Sequence, residues 1–240
     1  MLKGDRVTIR VGEYKVPMVY VGGGATVQAY SELGREDLVY SFIPEVIFMD
    51  GARATDMSKS ALVDAHENDP ANPYLPRVEA ILPIYVEGPE LNRLCDIYKM
   101  PFYRDVRQSD RKAWLDVKIL HKLRADGMRQ VYAEYEKETG SSPSLTFLGN
   151  AAAGRTVSLA KAKLKKKNPA LVSALECLYE SIIRYGRPGL TFEFNRRNIG
   201  VDRSGNLVLR DPVYDSEITT RLKKEKHSKE EVKNASKRYS

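Results

Sequence analysis

The tightest constraint on this chain lies between Leu190 and Asp215, LTFEFNRRNIGVDRSGNLVLRDPVYD. Gly189–Phe194, Ile199–Val201 and Asn206–Arg210 read as three short strands. A polar crossing, Asn195–Asn198, separates the first two. Asp202-Arg203-Ser204-Gly205 separates the last two, and its Asp-x-x-Gly spacing between apolar runs is a tight-turn signal. A hairpin closed by that turn sets Asn198 at the start of one strand and Asp211 at the end of its partner. Two oxygen ligands side by side suit a hard cation such as magnesium. That ion is commonly held by one or two protein groups plus substrate phosphates.

With 240 residues, 42% of them hydrophobic and 30% charged, the chain can bury a real core as one two-lobed domain or two small ones. No run of eighteen apolar residues occurs, so no membrane span is expected. The start, MLKGDRVTIRVGEY, has no apolar signal-peptide core, and a cytoplasmic location is the default expectation. Cys95 and Cys177 sit inside apolar runs and read as reduced core thiols. His66, His121 and His227 show no zinc spacing. The net charge of +7 is concentrated in Arg155–Lys167, with six cations and no acid, and in the tail from Arg221, with eight cations against three acids. Such segments attract acidic partners or nucleic acid. No aromatic–basic interleaving of the base-stacking kind accompanies them, so nucleic acid ranks behind a protein partner.

Taken in order, Val7–Val11 alternates as a strand and Val16–Val21 as a second. Gly22-Gly23-Gly24 then allows a tight turn whose N–H groups can approach a phosphate. Leu38–Ile43 is a further strand. Asp56–Asn68 predicts a short helix capped by Asp56 or Ser58. Asp69–Pro76 is barred from helix by its X-Pro steps. Arg77–Tyr85 and Leu94–Met100 are strands with a turn between them. Beyond Ser109 the pattern becomes helical: Ser109–Asp126, Gln130–Glu138, a basic Val157–Lys167, and Pro169–Tyr185. The last carries Leu171, Ala174, Leu175, Leu178 and Ile182 on one face, with Gly186 to end it. Residues 217–239 predict a highly charged helix or a disordered tail.

This order of segments, over roughly residues 15–215, resembles the protein kinases. Gly22-x-Gly24-x-x-Val27-x-Ala29-Tyr30 is similar to their glycine-rich loop, with Val27 at the third glycine position. Asn198 and Asp211 match the metal-binding Asn and Asp, and Glu193 falls where the catalytic Asp stands. Asp211-Pro212 in place of Asp-Phe-Gly, and Asn72-Pro-Tyr-Leu-Pro76 ahead of a strand, resemble the serine/threonine kinases encoded by tailed bacteriophages. The chain departs from the pattern twice. Ser41 holds the strand position of the ATP-clamping Lys, with no Lys between Lys15 and Lys59 and only Arg35 and Arg53 as nearby cations. Glu193 is one methylene longer than the Asp it replaces.

The resemblance implies an α+β, two-lobed protein-kinase-like fold. A small antiparallel β lobe would span residues 1–100, a compact, mainly helical lobe residues 101–216, and a basic charged tail residues 217–240. It implies ATP and magnesium as cofactors. Gly22, Gly23, Gly24, Ser41 and Met100 would surround the nucleotide, Met100 at an inter-lobe hinge, Tyr98–Pro101. Asn198 and Asp211 would hold magnesium, and Glu193 would orient the acceptor hydroxyl. The implied activity is transfer of the ATP γ-phosphate to Ser/Thr of bacterial host proteins in the host cytoplasm. The alternative is a catalytically impaired pseudokinase that binds and modulates a host protein.

Overall fold

The computed structural model describes residues 1–24, 26–48, 50–89 and 91–225, except the side chains of Arg53, Leu82 and Leu145. The tail expected beyond residue 225 lies outside the described residues. The strands are β1 (Arg6–Val11), β2 (Tyr14–Gly23), β3 (Gln28–Glu32), β4 (Arg35–Pro44) and the short pair β5 (Val46–Ile47) and β6 (Arg53–Ala54). Helix α1 (Ser58–Asn68) follows, then β7 (Glu79–Glu87), β8 (Asn92–Pro101) and β9 (Arg104–Asp105). The second half has α2 (Arg111–Thr139), α3 (Leu145–Leu164) and α4 (Pro169–Arg184), then β10 (Leu190–Phe192), β11 (Gly200–Val201), β12 (Leu207–Val208) and β13 (Val213–Asp215). A further helix begins at Ser216 and is described as far as residue 225.

Six strands close into an antiparallel barrel in the order β1-β2-β3-β4-β8-β7, with β1 returning to pair with β7 through Arg10↔Glu87 and Val11↔Val86. Period-two alternation turns one face of each strand into the barrel, and on β4 and β8 the other face enters a second core. Ile9, Met18, Tyr30, Phe42, Cys95 and Ile97 fill the interior, where the Tyr30 and Phe42 rings meet edge to face at 5.4 Å. Val39 and Ile43 of β4, and Tyr98 and Met100 of β8, point out of the barrel into a second core with Leu62 of α1, Leu120 of α2, Val157 of α3, Leu175 of α4 and Phe192 of β10.

This arrangement corrects the fold expected from the sequence. The chain is not a two-lobed protein-kinase-like fold with a small β lobe set beside a helical lobe. The β half is a closed six-stranded barrel, and its larger core runs without a break from the barrel's outer face through α1 into α2, α3 and α4. The physical reason lies at the N-terminus. Strand β1 covers the edges that β2 and β7 would otherwise expose, and closure removes the edges of an open sheet.

Two helical boundaries also differ. The expected break before Gln130 is absent, and α2 runs through Gly127 to an αL cap at Gly140 (φ 67). The Gly- and Ala-rich stretch before Val157 is the first half of α3, capped by Ser144, whose side chain accepts from Thr146 N. Its small residues are packing surface. A Cβ on Gly149 would lie 2.8 Å from Pro188 O and 2.9 Å from Gly189 C, both backbone atoms. Helix α4 matches its expectation closely: Asn168 Oδ1 accepts from Leu171 N at 3.2 Å, Pro169 opens the helix, and Gly186 (φ 64) follows it.

Because backbone cannot yield as a side chain does, Gly149→Ala is expected to destabilise the protein by about 1–3 kcal/mol despite its better helix propensity. Chemical denaturation checks this; a variant as stable as the parent would show that α3 does not approach the Pro188–Gly189 backbone this closely.

Candidate functional site

The site is assembled where three elements converge: the glycine turn between β2 and β3, the first turn of α1, and the loop and hairpin from Glu193 to Asp211. The chain reverses at Gly22–Gly24, where Gly24 N donates to Val27 O at 2.8 Å. Gly23 has no room for a side chain, since a Cβ there would lie 2.7 Å from the Tyr20 hydroxyl and 2.9 Å from Val27 O. Just past this turn, the buried Thr26 hydroxyl donates to Asp56 Oδ2 at 2.5 Å. Asp56 Oδ1 in turn accepts from Ser58 N at 2.9 Å, at the start of α1. Asp56 therefore ties the glycine turn to the helix start from one position before the N-cap, which is Met57 and not Asp56 or Ser58 as expected.

In the first turn of α1, Lys59 is buried. Its side chain is 4% exposed, and Nζ lies 3.1 Å from Asp211 Oδ1 and donates to Arg210 O at 3.2 Å. Asp211 itself is fixed by the hairpin, its N–H donating to Asn198 O at 2.9 Å. The turn expected at Asp202–Gly205 forms: Asp202 Oδ1 accepts from Ser204 N and Asn206 N, and Gly205 takes φ 81. Arg210 anchors the hairpin by donating to Tyr103 O at 2.7 Å and Arg197 O at 2.9 Å, with Asp105 as its ion-pair partner.

The polar crossing folds around Asn195, whose Oδ1 accepts from both Arg197 N and Asn198 N. This turn presents Asn198 to Glu193. Asn198 Nδ2 donates to Glu193 Oε2 at 2.8 Å and to Glu193 O at 3.2 Å. Two acceptors fix which end of the amide carries nitrogen, and among the described residues no hydrogen bond engages the Asn198 side-chain oxygen. Below the loop, Phe192 and Phe194 stack at 5.1 Å, and Arg124 Nε donates to Phe192 O.

Electrostatically the centre sets Lys59, the one buried cation among the described residues, among carboxylates. Asp211 keeps 33% of its side chain exposed, yet its pKa is raised from the ordinary 3.8. Desolvation is the main cause; the Asp56 and Glu193 charges add to it, and Lys59 opposes it. Asp215, fully buried beneath the site, is likewise raised by desolvation and held by Arg187 at 2.9 Å. Arg187 also donates to Thr55 O, so this second pair braces the residue before Asp56.

The remaining residues singled out in the sequence lie elsewhere. Ser41 is buried on the outer barrel face, opposite Ala29 and Tyr98, and no polar contact joins it to Lys59 or Asp211 among the described residues. Met100 is buried in the larger core opposite Val39, beside a shallow cavity of about 240 Å³ lined also by Leu38, His66 and Arg77. None of the Lys59–Asp211 cluster lines that cavity.

Sequence reasoning sought the cation on β4 and missed Lys59 on α1. A signal was present: Lys59 shares a helical face with Leu62 and Val63, three and four residues on, where a solvated lysine does not belong. Asp56 was read only as a cap, not as a neighbour of Asp211.

The donor set fits magnesium in one mode only. Among the described residues no three His, Cys, Asp or Glu gather to hold a metal by themselves. Asn198 in the turn before β11 and Asp211 just beyond β12, joined through Asp211 N and Asn198 O, offer two side-chain oxygen ligands, the number that suits an ion completed by phosphates and water. No protein-family model matches the chain, and no curated protein matches it. No helix among the described residues is long and apolar enough to cross a membrane.

Because its native pKa is raised, Asp211 binds its proton more tightly in the folded state than in the unfolded chain. Its contribution to stability is complete below about 3.8 and declines as pH rises through the native value. Carboxyl-carbon NMR is expected to show Asp211 titrating above 3.8, higher still in Lys59→Met and lower in Asp56→Asn. An Asp211 titration unmoved by Lys59→Met would mean that the ion pair does not form in solution.

Proposed function

We propose that the cluster of Lys59, Glu193, Asn198 and Asp211 is a phosphotransfer centre that uses magnesium and ATP. The observation that carries this reading is the pairing of the buried Lys59 with the half-buried Asp211, 3.1 Å apart, at a helix start that Thr26 and Asp56 fasten to the glycine turn. A buried lysine is the cation that phosphoryl transfer requires, because that chemistry rests on positioning and charge neutralisation. It supplies from α1 the cation that Ser41 cannot supply from β4.

In this reading Asn198 and Asp211 would hold the magnesium ion, which neutralises charge on the phosphates. Lys59, released in part from Asp211 as the anion enters, faces the phosphate oxygens. Glu193 orients the acceptor hydroxyl. That oxygen forms a bond to the γ-phosphorus as the bond from phosphorus to the ADP oxygen breaks, and the hydroxyl proton passes to the Glu193 carboxylate. Asn198 holds that carboxylate at 2.8 Å and keeps it on the loop. The acceptors that the sequence resemblance implies, Ser or Thr of bacterial host proteins, belong to the same proposal.

A second reading is favoured by one contact. Glu193 Oε2 already accepts from Asn198, so a site that binds nucleotide and modulates a host protein without transfer fits the same residues.

Two assays separate these readings. ATP with magnesium is expected to raise the melting temperature of the parent protein and not of Asp211→Ala, since a ligand selective for the native state stabilises it by mass action. Labelled γ-phosphate should reach protein in a bacterial lysate, with the rate falling about 10²–10³-fold in Lys59→Met. A magnesium-dependent shift without transfer selects the binding-only reading, and no shift at millimolar ATP refutes both.

A further inference from the structure

The surface beside the candidate centre carries cations that its own chemistry does not use. Arg196 and Arg197, both exposed, occupy the loop between Glu193 and Asn198. Arg196 is not free to wander. Its guanidinium lies 4.3 Å from the centre of the Trp114 ring, and Lys118, one helical turn further along α2, places its ammonium 5.9 Å from the same ring. Next on that helix face stands His121, exposed, with its pKa lowered by desolvation first and then by the Arg124 and Arg196 charges.

Several surface cations elsewhere on this protein pair with carboxylates. Arg104 pairs with Asp110, Arg210 with Asp105, Arg155 with Glu134 and Lys161 with Glu176. Among the described residues, no carboxylate lies within ion-pair distance of Arg196, Arg197 or Lys118. The nearest acid in sequence, Glu193, is engaged by Asn198, and Asp116 on α2 is turned to the Tyr74 hydroxyl. Keeping three cations together without counter-charges is electrostatically unfavourable, and stacking over Trp114 desolvates one of them further. Such an arrangement is relieved by an anionic partner.

We infer that Arg196 and Lys118, which meet at Trp114, and the exposed Arg197 beside Arg196 form a docking surface for an acidic peptide that carries the acceptor hydroxyl, with Glu or Asp flanking the Ser or Thr. This specifies the substrate of the site proposed above and rests on that reading. A peptide is favoured over nucleic acid on geometry. Two of the cations share a single indole and the third is the next residue on the same loop, an arrangement unlike the groove with successive stacking rings that a single strand requires. Carboxylates laid along Arg196 and Arg197 would bring a neighbouring hydroxyl to Glu193, which is three residues before Arg196 and on the same loop.

The test uses the full chain and three labelled probes: a peptide with one Ser flanked on both sides by Glu, the same peptide with Gln for Glu, and a single-stranded RNA of equal net charge. Fluorescence anisotropy is expected to show binding of the Glu peptide and none of the Gln peptide. The Arg196→Glu/Arg197→Glu double variant should lose about tenfold in affinity, and Lys118→Glu several-fold, in line with exposed charge pairs turned repulsive. Lys118→Glu guards against a loop disturbed by loss of the Trp114 stack, since Lys118 lies on the outer face of α2. Equal binding of the Gln peptide, indifference to both charge reversals, or tighter binding of the RNA than of the Glu peptide would overturn the inference. The thermal shift with magnesium and ATP is read on the same samples. An intact shift without charge-dependent peptide binding removes the docking surface alone. Charge-dependent peptide binding without the shift keeps the surface and removes the phosphotransfer reading.

Discussion

The contact between Lys59 and Asp211 is the interaction on which the rest of the centre depends. It joins the first turn of α1 to the end of the hairpin 152 residues later, across the seam between barrel and helices. A lysine that is 4% exposed is tolerated only because a carboxylate and a backbone carbonyl meet it. Lys59 is buried whereas Asp211 keeps a third of its side chain exposed, so the larger penalty falls on removing the carboxylate, which leaves the buried ammonium without its counter-charge. The pair therefore constrains geometry: the helix start and the hairpin end must arrive together for either to be stable.

Its surroundings explain how that geometry is held. Asp56 fastens the helix start to the glycine turn through Thr26, and Arg187 ties Thr55 to the buried Asp215. From the other side, Arg210 clamps the hairpin to Tyr103 and Asp105, while β9 pairs with β11. Each tie spans a long sequence separation, so the centre exists only in the folded chain. The charges of Asp56 and Glu193 act against ionised Asp211, and Lys59 offsets them.

Closure of the barrel serves this arrangement. An open sheet would leave β2 exposed along an edge, close to the glycine turn at its end. Pairing of β1 with both β2 and β7 removes the edge and fixes the strand from which that turn springs. With the barrel interior filled by its own aromatic and aliphatic residues, its outer face is available for α1. The larger core then continues from Val39 and Met100 through Leu62 into α4. One packed body results, and the site sits on the seam within it.

The hairpin, its Asp202–Gly205 turn, the meeting of Asn198 with Asp211, the α4 helix and most barrel strands were legible in the sequence, because each is fixed by residues a few positions apart. Turn chemistry, capping and apolar period act locally and leave local signatures. The Gly- and Ala-rich half of α3 was not legible: Gly149 and Gly154 are chosen for what packs on them, the Pro188–Gly189 backbone and the Tyr179 ring. Barrel closure was also hidden, since nothing in β1 alone says that its second edge meets β7. Above all, nothing local in the sequence joined Lys59 to Asp211, and only the tertiary structure decided that the two lie side by side. The physical reason is that charge pairing acts through space, whereas periodicity and turn preferences act along the chain.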